Sequence, residues 1–585
     1  MTPSRLDAHA SRPCRRPSCF SSRWPMILDQ STDRATSTYD VCIVGSGPAG
    51  LTLAAELADR APELRICVLE SGRRHPTDFA DALRDLDWEG IPIEPQSRER
   101  VFGGASATWA GLSSPLDRID FERRNTVRFS GWPFDRDHLL PFYAHAAERY
   151  RFPPIEMFEP ERWRSAVPQG DLAPQWRQLQ PTAMLAPREP FRFGPELAGV
   201  FSGCQADLRL DATVIRLEGD PATGRAEAAV VRSSSGAETR VHARAFGLAC
   251  GGLENARLLL LSTYPGRRGL GNEADQVGRY LMNHPKGDFG VVVLRRRVRA
   301  EPAYFGATHG DVFGSLGLRL SESLQHGRGL LNSYLRLRPV HDWSDMPEVR
   351  LALDGLGRLK RQLVHRSRPP GARGDPASPT TSGTTLGLAW RNRREVWRHL
   401  RLHRRGGAWI HTLRIRNFME MEPNAENRVT LGRRTDGFGT PLPEVRHAPS
   451  QRDRSTMQEL HATLAAELQH QRWGQLVTGL PADTGRWPIR EPASHHMGTT
   501  RMGTDPATSV VDPDGRIHGC PNVFVAGSSV FPTCGSANPT FTIVALSVRL
   551  AEHLAGTFHA GASRAGGSRR DKTAHMTSPQ PPDSR

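Results

Sequence analysis

Lysine is almost missing from this sequence: Lys286, Lys360 and Lys572 are the only three among 77 basic residues. The formal charge of +15 is carried by arginine used throughout the chain, as a GC-rich coding sequence produces. Much of the excess is local, since residues 356–406 hold 13 basic side chains against the two acids Asp375 and Glu395. Charge with these two sources is not the footprint of a nucleic-acid protein, and no nucleic-acid partner is expected. Long apolar runs are absent as well. None approaches the roughly 20 residues that cross a bilayer, so no integral membrane segment is expected. Cysteine is sparse and scattered, at positions 14, 19, 42, 67, 204, 250, 520 and 534, with no C-x-x-C pair. That spacing excludes a zinc knuckle and a disulfide framework, and predicts reduced, small apolar side chains in a cytoplasmic protein. Arg15-Arg16 is not followed by the apolar stretch of a signal peptide. No internal repeat is visible.

With 585 residues the chain exceeds what one hydrophobic core usually serves, so two packed domains are expected. The Arg/Ser/Pro-rich residues 1–37 read as a disordered extension in which Met26 offers an alternative start. Residues 559–585 read as a disordered tail.

The clearest local signal runs from Tyr39 to Gly72, "YDVCIVGSGPAGLTLAAELADRAPELRICVLESG". Val41–Val44 is a short continuous apolar run, as a strand buried on both faces requires. Glycines follow, then Leu51, Ala54, Ala55, Leu57 and Ala58 at helical spacing, then a second apolar run Ile66–Leu69 ending in Glu70. Gly45, Gly47 and Gly50 fit G-x-G-x-x-G. The first permits a tight turn, the second lets backbone approach a pyrophosphate, and the third lets helix pack on strand. The helix N-terminus then offers free N–H groups and partial positive charge to phosphate. Glu70, 20 residues after Gly50, is placed to accept both ribose hydroxyls, which disfavours a 2′-phosphate and hence NADP. A glycine triplet alone is also what any Gly-rich turn contains. Strand, helix and acid together predict dinucleotide binding, with FAD and NAD both open at this point.

Other segments carry a resemblance. "SHHMGTTRMG" (494–503), "VVDPDGRIHGCPNVFVAGSSVFPTCGSANPT" (510–540), "VFGGASATWAG" (101–111), "LACGGLENARLLL" (248–260) and "VGRYLMNHP" (277–285), with the fingerprint, resemble the glucose–methanol–choline (GMC) family of FAD oxidoreductases. The likeness is strongest to its pyranose oxidase-like branch, where H-x-x-G-T-x-R-M-G and A-N-P-T runs recur. It covers both ends and several interior stretches, and the middle of the chain much less.

The resemblance implies FAD as cofactor and oxidation of an alcohol. His495 aligns with the family's catalytic histidine. A neutral imidazole can take a hydroxyl proton as the C–H hydride leaves. One of 22 histidines at a surface turn would need no such role, and it is the flanking motif that singles this one out. Adjacent His496 is the second choice. Neighbouring histidines seldom converge on one ion, so no metal site is expected. Asn538 aligns with a second catalytic polar residue, although Asn538-Pro539 also reads as an N-cap followed by proline at the first position of a closing helix. That helix would point its positive end at the flavin. Gly103, Gly104 and Ser106 are implied to lie against the flavin. Gly527, Ser528, Asn538, Pro539 and Thr540 complete the cofactor site, and Val214 matches a position whose backbone meets adenine. Val214 would serve equally as a strand core residue. Some relatives bond flavin covalently through a histidine before the tryptophan of the 101–111 loop. Here Thr108 precedes Trp109, so non-covalent FAD is expected.

The expected fold class is α/β. A discontinuous Rossmann-like FAD-binding domain (38–130, 200–285 and 490–558) is interrupted by an α+β, sheet-based substrate domain. That domain comprises the segment 131–199 and residues 286–489, which carry the basic insertion 356–406. The Pro/Gly/Ser/Thr-rich 369–387 reads as a loop, and 389–405 as an amphipathic helix, more often a solvated face than a membrane or partner contact. Expected partners are a small-molecule alcohol, sugar-like or a secondary metabolite, and an electron acceptor: oxygen, a quinone or a protein. Two rival readings remain at this level. One is an NAD-dependent dehydrogenase using the same fingerprint. The other is a basic nucleic-acid- or membrane-binding protein with a vestigial nucleotide fold.

Overall fold

The apolar run Val41–Val44 is the inner end of the strand Thr36–Val44, and all four of its side chains are buried. It is an inner strand, with Ile66–Leu69 parallel on one side and Glu238–Leu248 parallel on the other, and inner parallel strands are buried on both faces where other elements cover the sheet. The computed structural model describes residues 27–29, 36–172, 174–202, 206–263, 269–341, 346–349, 351–353, 355–356, 382–404, 409–481, 487, 489 and 494–573.

The first sheet runs, in order, Ile27–Asp29, Ala206–Leu210, Ile66–Leu69, Thr36–Val44, Glu238–Leu248, Arg225–Arg232 and Thr213–Asp220. Val523–Val525 adds a parallel strand against the end of Glu238–Leu248. The three strands at one edge form an antiparallel meander and the rest are parallel. Helix Pro48–Arg60 lies on this sheet. Its residues Ala49–Leu57 are buried nearly all round because the closing helix Thr540–Thr573 covers its other side. Such sheets bind ligands beyond the carboxyl ends of their parallel strands.

The second sheet is antiparallel: Ala307–His309, Val312–Leu320, Tyr334–Pro339, Ile410–Phe418, Lys286–Val298 and Gly474–Thr478, with Leu179–Pro187 also paired to Val312–Leu320. Helix Gln451–His470 lies against it, burying Met457, Leu460, Leu464 and Leu468 at helical spacing. Its start is fixed by a capping box. Ser450 Oγ accepts from Asp453 N at 3.2 Å, and Asp453 Oδ2 accepts from Ser450 N at 2.8 Å. A small third sheet joins Arg428–Thr435, Pro441–His447 and Asp87–Gly90. One apolar core is continuous through both large sheets.

Four expectations about local order differ from the structure. Ile27–Asp29, inside the expected N-terminal extension, pairs in parallel with Leu208–Leu210. A three-residue strand made by a partner 181 positions away leaves no periodicity to read. The closing helix continues to Thr573, through the first part of the expected tail, because no proline interrupts it. Residues 382–387, expected as loop, open the helix Ser382–Arg391. The basic stretch 389–405 is not one helix. It breaks at Asn392, whose amide donates to Leu388 O and Glu348 Oε2, and resumes as Arg393–Arg404. Trp390 and Trp397 on this pair are exposed. The remainder of the expected extension (1–26 and 30–35), of the loop (369–381) and of the tail (574–585) lies outside the described residues. Among the described residues no helix is long and apolar enough to cross a membrane.

Candidate active site

Three distant stretches meet at the carboxyl end of the first sheet. Gly45 holds φ +104°, and a Cβ there would stand 2.6 Å from Ala249 O. A Cβ on Gly50 would stand 1.9 Å from Gly45 O, so the helix reaches this strand only because position 50 has no side chain. Gly47 behaves differently: a Cβ there meets nothing within 4 Å, and as N-cap of Pro48–Arg60 it supplies no side-chain cap. The turn therefore leaves an open cradle at a helix N-terminus. Glu70, buried at the end of its strand, accepts Ser46 N at 3.0 Å and Ser46 Oγ at 2.7 Å through one oxygen, and Gly72 N at 2.8 Å through the other. Ala212 N donates to Glu70 O at 2.8 Å, which sets half-buried Val214 close by in the strand Thr213–Asp220.

The loop 101–111 folds onto this turn. Gly103 N donates to Ser46 O at 3.1 Å, and a Cβ on Gly104 would stand 2.9 Å from Gly47 Cα. Ser106 Oγ donates to Gly103 O at 2.6 Å and accepts from Phe193 N at 3.2 Å. From the far end of the chain, a Cβ on Gly527 would lie 3.8 Å from Ala49 Cβ, and Ser528 Oγ donates to His496 O at 2.7 Å. Pro539 and Thr540 stand at the start of the closing helix.

Met282 and Met497 exchange backbone hydrogen bonds of 2.9 and 3.0 Å, strapping the 494–500 segment to residues 282–284. Asn283 Oδ1 accepts from His495 N at 2.9 Å. Half-buried His495 places Nδ1 3.1 Å from Nδ1 of buried His284, whose Nε2 lies 2.9 Å from Gly535 O. The two rings meet edge to face, 5.2 Å apart at 85°. Burial, with His284, Lys286 and His496 nearby, holds His495 well below the usual imidazole range. Burial takes His284 down to about 4 and His496 to about 3. The two candidate histidines look in different directions. The ring of His495 meets His284, whereas fully buried His496 has Arg98 and His447 for neighbours and an Nε2 without a hydrogen-bond partner.

Asn538 is not the cap expected of it. Pro539 O accepts the first helical bond, from Ile543 N at 2.8 Å, so the helix starts one residue later. The Asn538 amide instead donates to Leu112 O at 2.7 Å, tying this segment to the end of the 101–111 loop. Thr108 is exposed and donates to Glu99 Oε1 at 2.6 Å. Among the described residues no group of three or more His, Cys, Asp or Glu is arranged to hold a metal ion.

Residues 40–345 match the family described as FAD dependent oxidoreductase, and residues 423–547 match GMC oxidoreductase. The chain belongs to the GMC family of FAD-dependent oxidoreductases. This GMC enzyme is 26% identical to the 6'''-hydroxyparomomycin C oxidase of Streptomyces lividus, over 91% of this chain and 93% of that protein. It is also 26% identical to the C-glycoside 3-oxidase of Arthrobacter globiformis, over 90% and 96%. The solved structure of pyridoxine 4-oxidase from Mesorbium loti shares the fold, with a TM-score of 0.50 at 18% identity, covering 88% of this chain and 98% of that one.

The residues present fit FAD. The open cradle at Gly47, the uncapped helix start and the buried carboxylate of Glu70 are what a pyrophosphate and a ribose require of a Rossmann turn. The NAD reading of the fingerprint gives way, because the family match that starts at residue 40 includes it. Sequence reasoning missed three members of the GMC enzyme's histidine cluster: His284, Asn283 and Gly535. The run 277–285 carries a family resemblance, but nothing local in it reveals that residue 284 faces residue 495.

Proposed function

We propose that the enzyme oxidises a CH–OH group of a sugar-like or secondary-metabolite alcohol, with His495 as general base and Asn538 orienting the reacting oxygen. The observation carrying this reading is the fixed imidazole of His495, held from its backbone by Asn283 and from its ring by His284. FAD, when bound, supplies the acceptor for the hydride. The remaining work falls to the chain. His495 receives the hydroxyl proton at Nε2 as the C–H bond breaks. One N–H of Asn538 is committed to Leu112 O, which fixes the amide so that its other polar groups can hold the substrate oxygen. His496 is given no part in proton transfer, since its ring is enclosed on another side. Gly45, Gly47, Gly50, Glu70, Gly103, Gly104, Ser106, Val214, Gly527, Ser528, Pro539 and Thr540 are assigned to the cofactor site. The segments 38–130, 200–285 and 490–558 are assigned to the FAD domain, and 131–199 with 286–489 to the substrate domain.

Substrate class is supported by relatives whose names specify a paromomycin derivative and a C-glycoside, and one whose name specifies 2-methyl-1,2-propanediol. The acceptor that reoxidises the flavin is oxygen, a quinone or a protein. A reducing, cytoplasmic setting is supported by Cys42 and Cys67, register partners on adjacent strands that remain free thiols. Non-covalent FAD is supported by Thr108, an exposed hydroxyl engaged with Glu99 where some relatives carry histidine.

Two measurements test the reading. A panel of free sugars, glycosides, aminoglycosides and vicinal diols is screened for anaerobic bleaching of the flavin. With the fastest member, His495→Ala is expected to slow flavin reduction by about 10²–10⁴-fold while FAD stays bound. Undiminished reduction would move the base elsewhere. Acid precipitation is expected to release yellow FAD into the supernatant, and colour retained in the pellet would refute dissociable cofactor.

A further inference from the structure

We infer that His284 is a positioning residue that selects the tautomer of His495, leaving Nε2 of His495 bare to accept the substrate proton. The inference rests on His495 being the base and assigns a role to a second histidine, one whose sequence position gives no hint of it.

Gly535 O can only accept, so the 2.9 Å contact requires a proton on His284 Nε2. His284 is 3% exposed, and the cation near it is Lys286. In that surrounding the ring stays neutral and carries one proton, which leaves Nδ1 as an acceptor. The 3.1 Å contact between the two Nδ1 atoms is then a hydrogen bond only if His495 Nδ1 carries the proton and donates it. The other tautomer would set two lone pairs against each other at that distance. His495 is neutral as well, with His284, Lys286 and His496 as its charged or titratable neighbours. One proton on Nδ1 leaves none on Nε2. The chain Gly535 O, His284, His495 therefore ends in a lone pair on the far side of the His495 ring. Asn283 Oδ1, holding His495 N at 2.9 Å, keeps the ring from swinging out of this line.

As hydride leaves carbon for the bound acceptor, the hydroxyl proton moves to His495 Nε2, and the resulting imidazolium donates Nδ1–H to His284 Nδ1. The proton cannot pass beyond His284, because Gly535 O cannot take one.

The test uses holoenzyme labelled with ¹⁵N-histidine, with His495 signals assigned by their loss in His495→Ala. The expected wild-type spectrum has His495 protonated at Nδ1 and His284 at Nε2. A His495 protonated at Nε2 overturns the inference outright, whatever any variant does. The kinetic arm compares two variants by anaerobic flavin reduction with the panel member that bleaches wild type fastest. In His284→Asn, Oδ1 stands about where Nδ1 stood and still accepts from His495, so reduction is expected within several-fold of wild type. His284→Leu removes the acceptor and is expected to slow it about 10–100-fold, as loss of outer-shell partners does in metal sites. A merely structural His284 would make the two variants equally impaired. If His284→Leu loses FAD, the wild-type spectrum alone decides. Slow His495→Ala with unimpaired His284→Leu sinks the tautomer role and leaves the base in place. Unimpaired His495→Ala sinks the base itself.

Discussion

A proton acceptor in a flavin site must be unprotonated before substrate arrives, and at His495, the proposed base, burial with Lys286 and two histidines nearby secures this. Its pKa is depressed, so the base form is present above that depressed value and is lost only as pH falls through it. The acid limb of flavin reduction is therefore expected below the ordinary imidazole value of about 6.5. Rapid-reaction measurements across pH 4–8 check this, and a limb centred above 6.5 would contradict the depressed base. The residue types of this site were legible from the chain, since the motif around 495 singled out one of 22 histidines. Asn538 was legible as to type and not as to contact. Its bond to Leu112 O spans 426 positions, and a good local cap sequence pointed elsewhere.

At the scale of the element, the three fingerprint glycines serve different physical ends and separate by experiment. Gly47 has ordinary φ (−73°) and open space before it, so Gly47→Ala is expected to leave apoprotein stability unchanged while weakening FAD retention. At Gly50 the added methyl meets backbone. Gly50→Ala is expected to cost about 1–3 kcal/mol of apoprotein stability, as overpacking does, before any effect on cofactor. Denaturant titration of apoprotein and flavin stoichiometry after gel filtration distinguish the two outcomes, and identical behaviour would refute the division. The strand–helix–strand unit was readable because continuous apolar runs flank a stretch of helical spacing within about 35 residues. The break at Asn392 was not. It depends on Glu348, a neighbour supplied by the fold.

At the scale of the whole molecule, a buried ion pair ties the loop after helix Arg118–Phe121 to the end of the strand Ile410–Phe418. Arg124 and Glu420 pair at 3.1 Å with their side chains 2% and 0% exposed, and Asp120 lies in the same cluster. A Cβ on Gly535 would stand 2.4 Å from Asp120 Oδ2, so this cluster also supports the loop whose carbonyl orients His284. Arg124→Leu strands a buried carboxylate and is expected to destabilise the protein by about 3–5 kcal/mol. Thermal and urea unfolding check it. A cost below 1 kcal/mol would mean that the pair does not hold these two segments together.

By itself the sequence determined the nucleotide-binding turn and the family, and it pointed to His495 as the proposed base, because each is written in a short run of neighbouring residues. Only the tertiary structure decided what faces that histidine. His284 and Gly535 lie 211 and 40 positions from His495, and separations of that size carry no periodicity. Packing of the two sheets, not local pattern, brings a ring and a carbonyl into the line that fixes where a proton can sit.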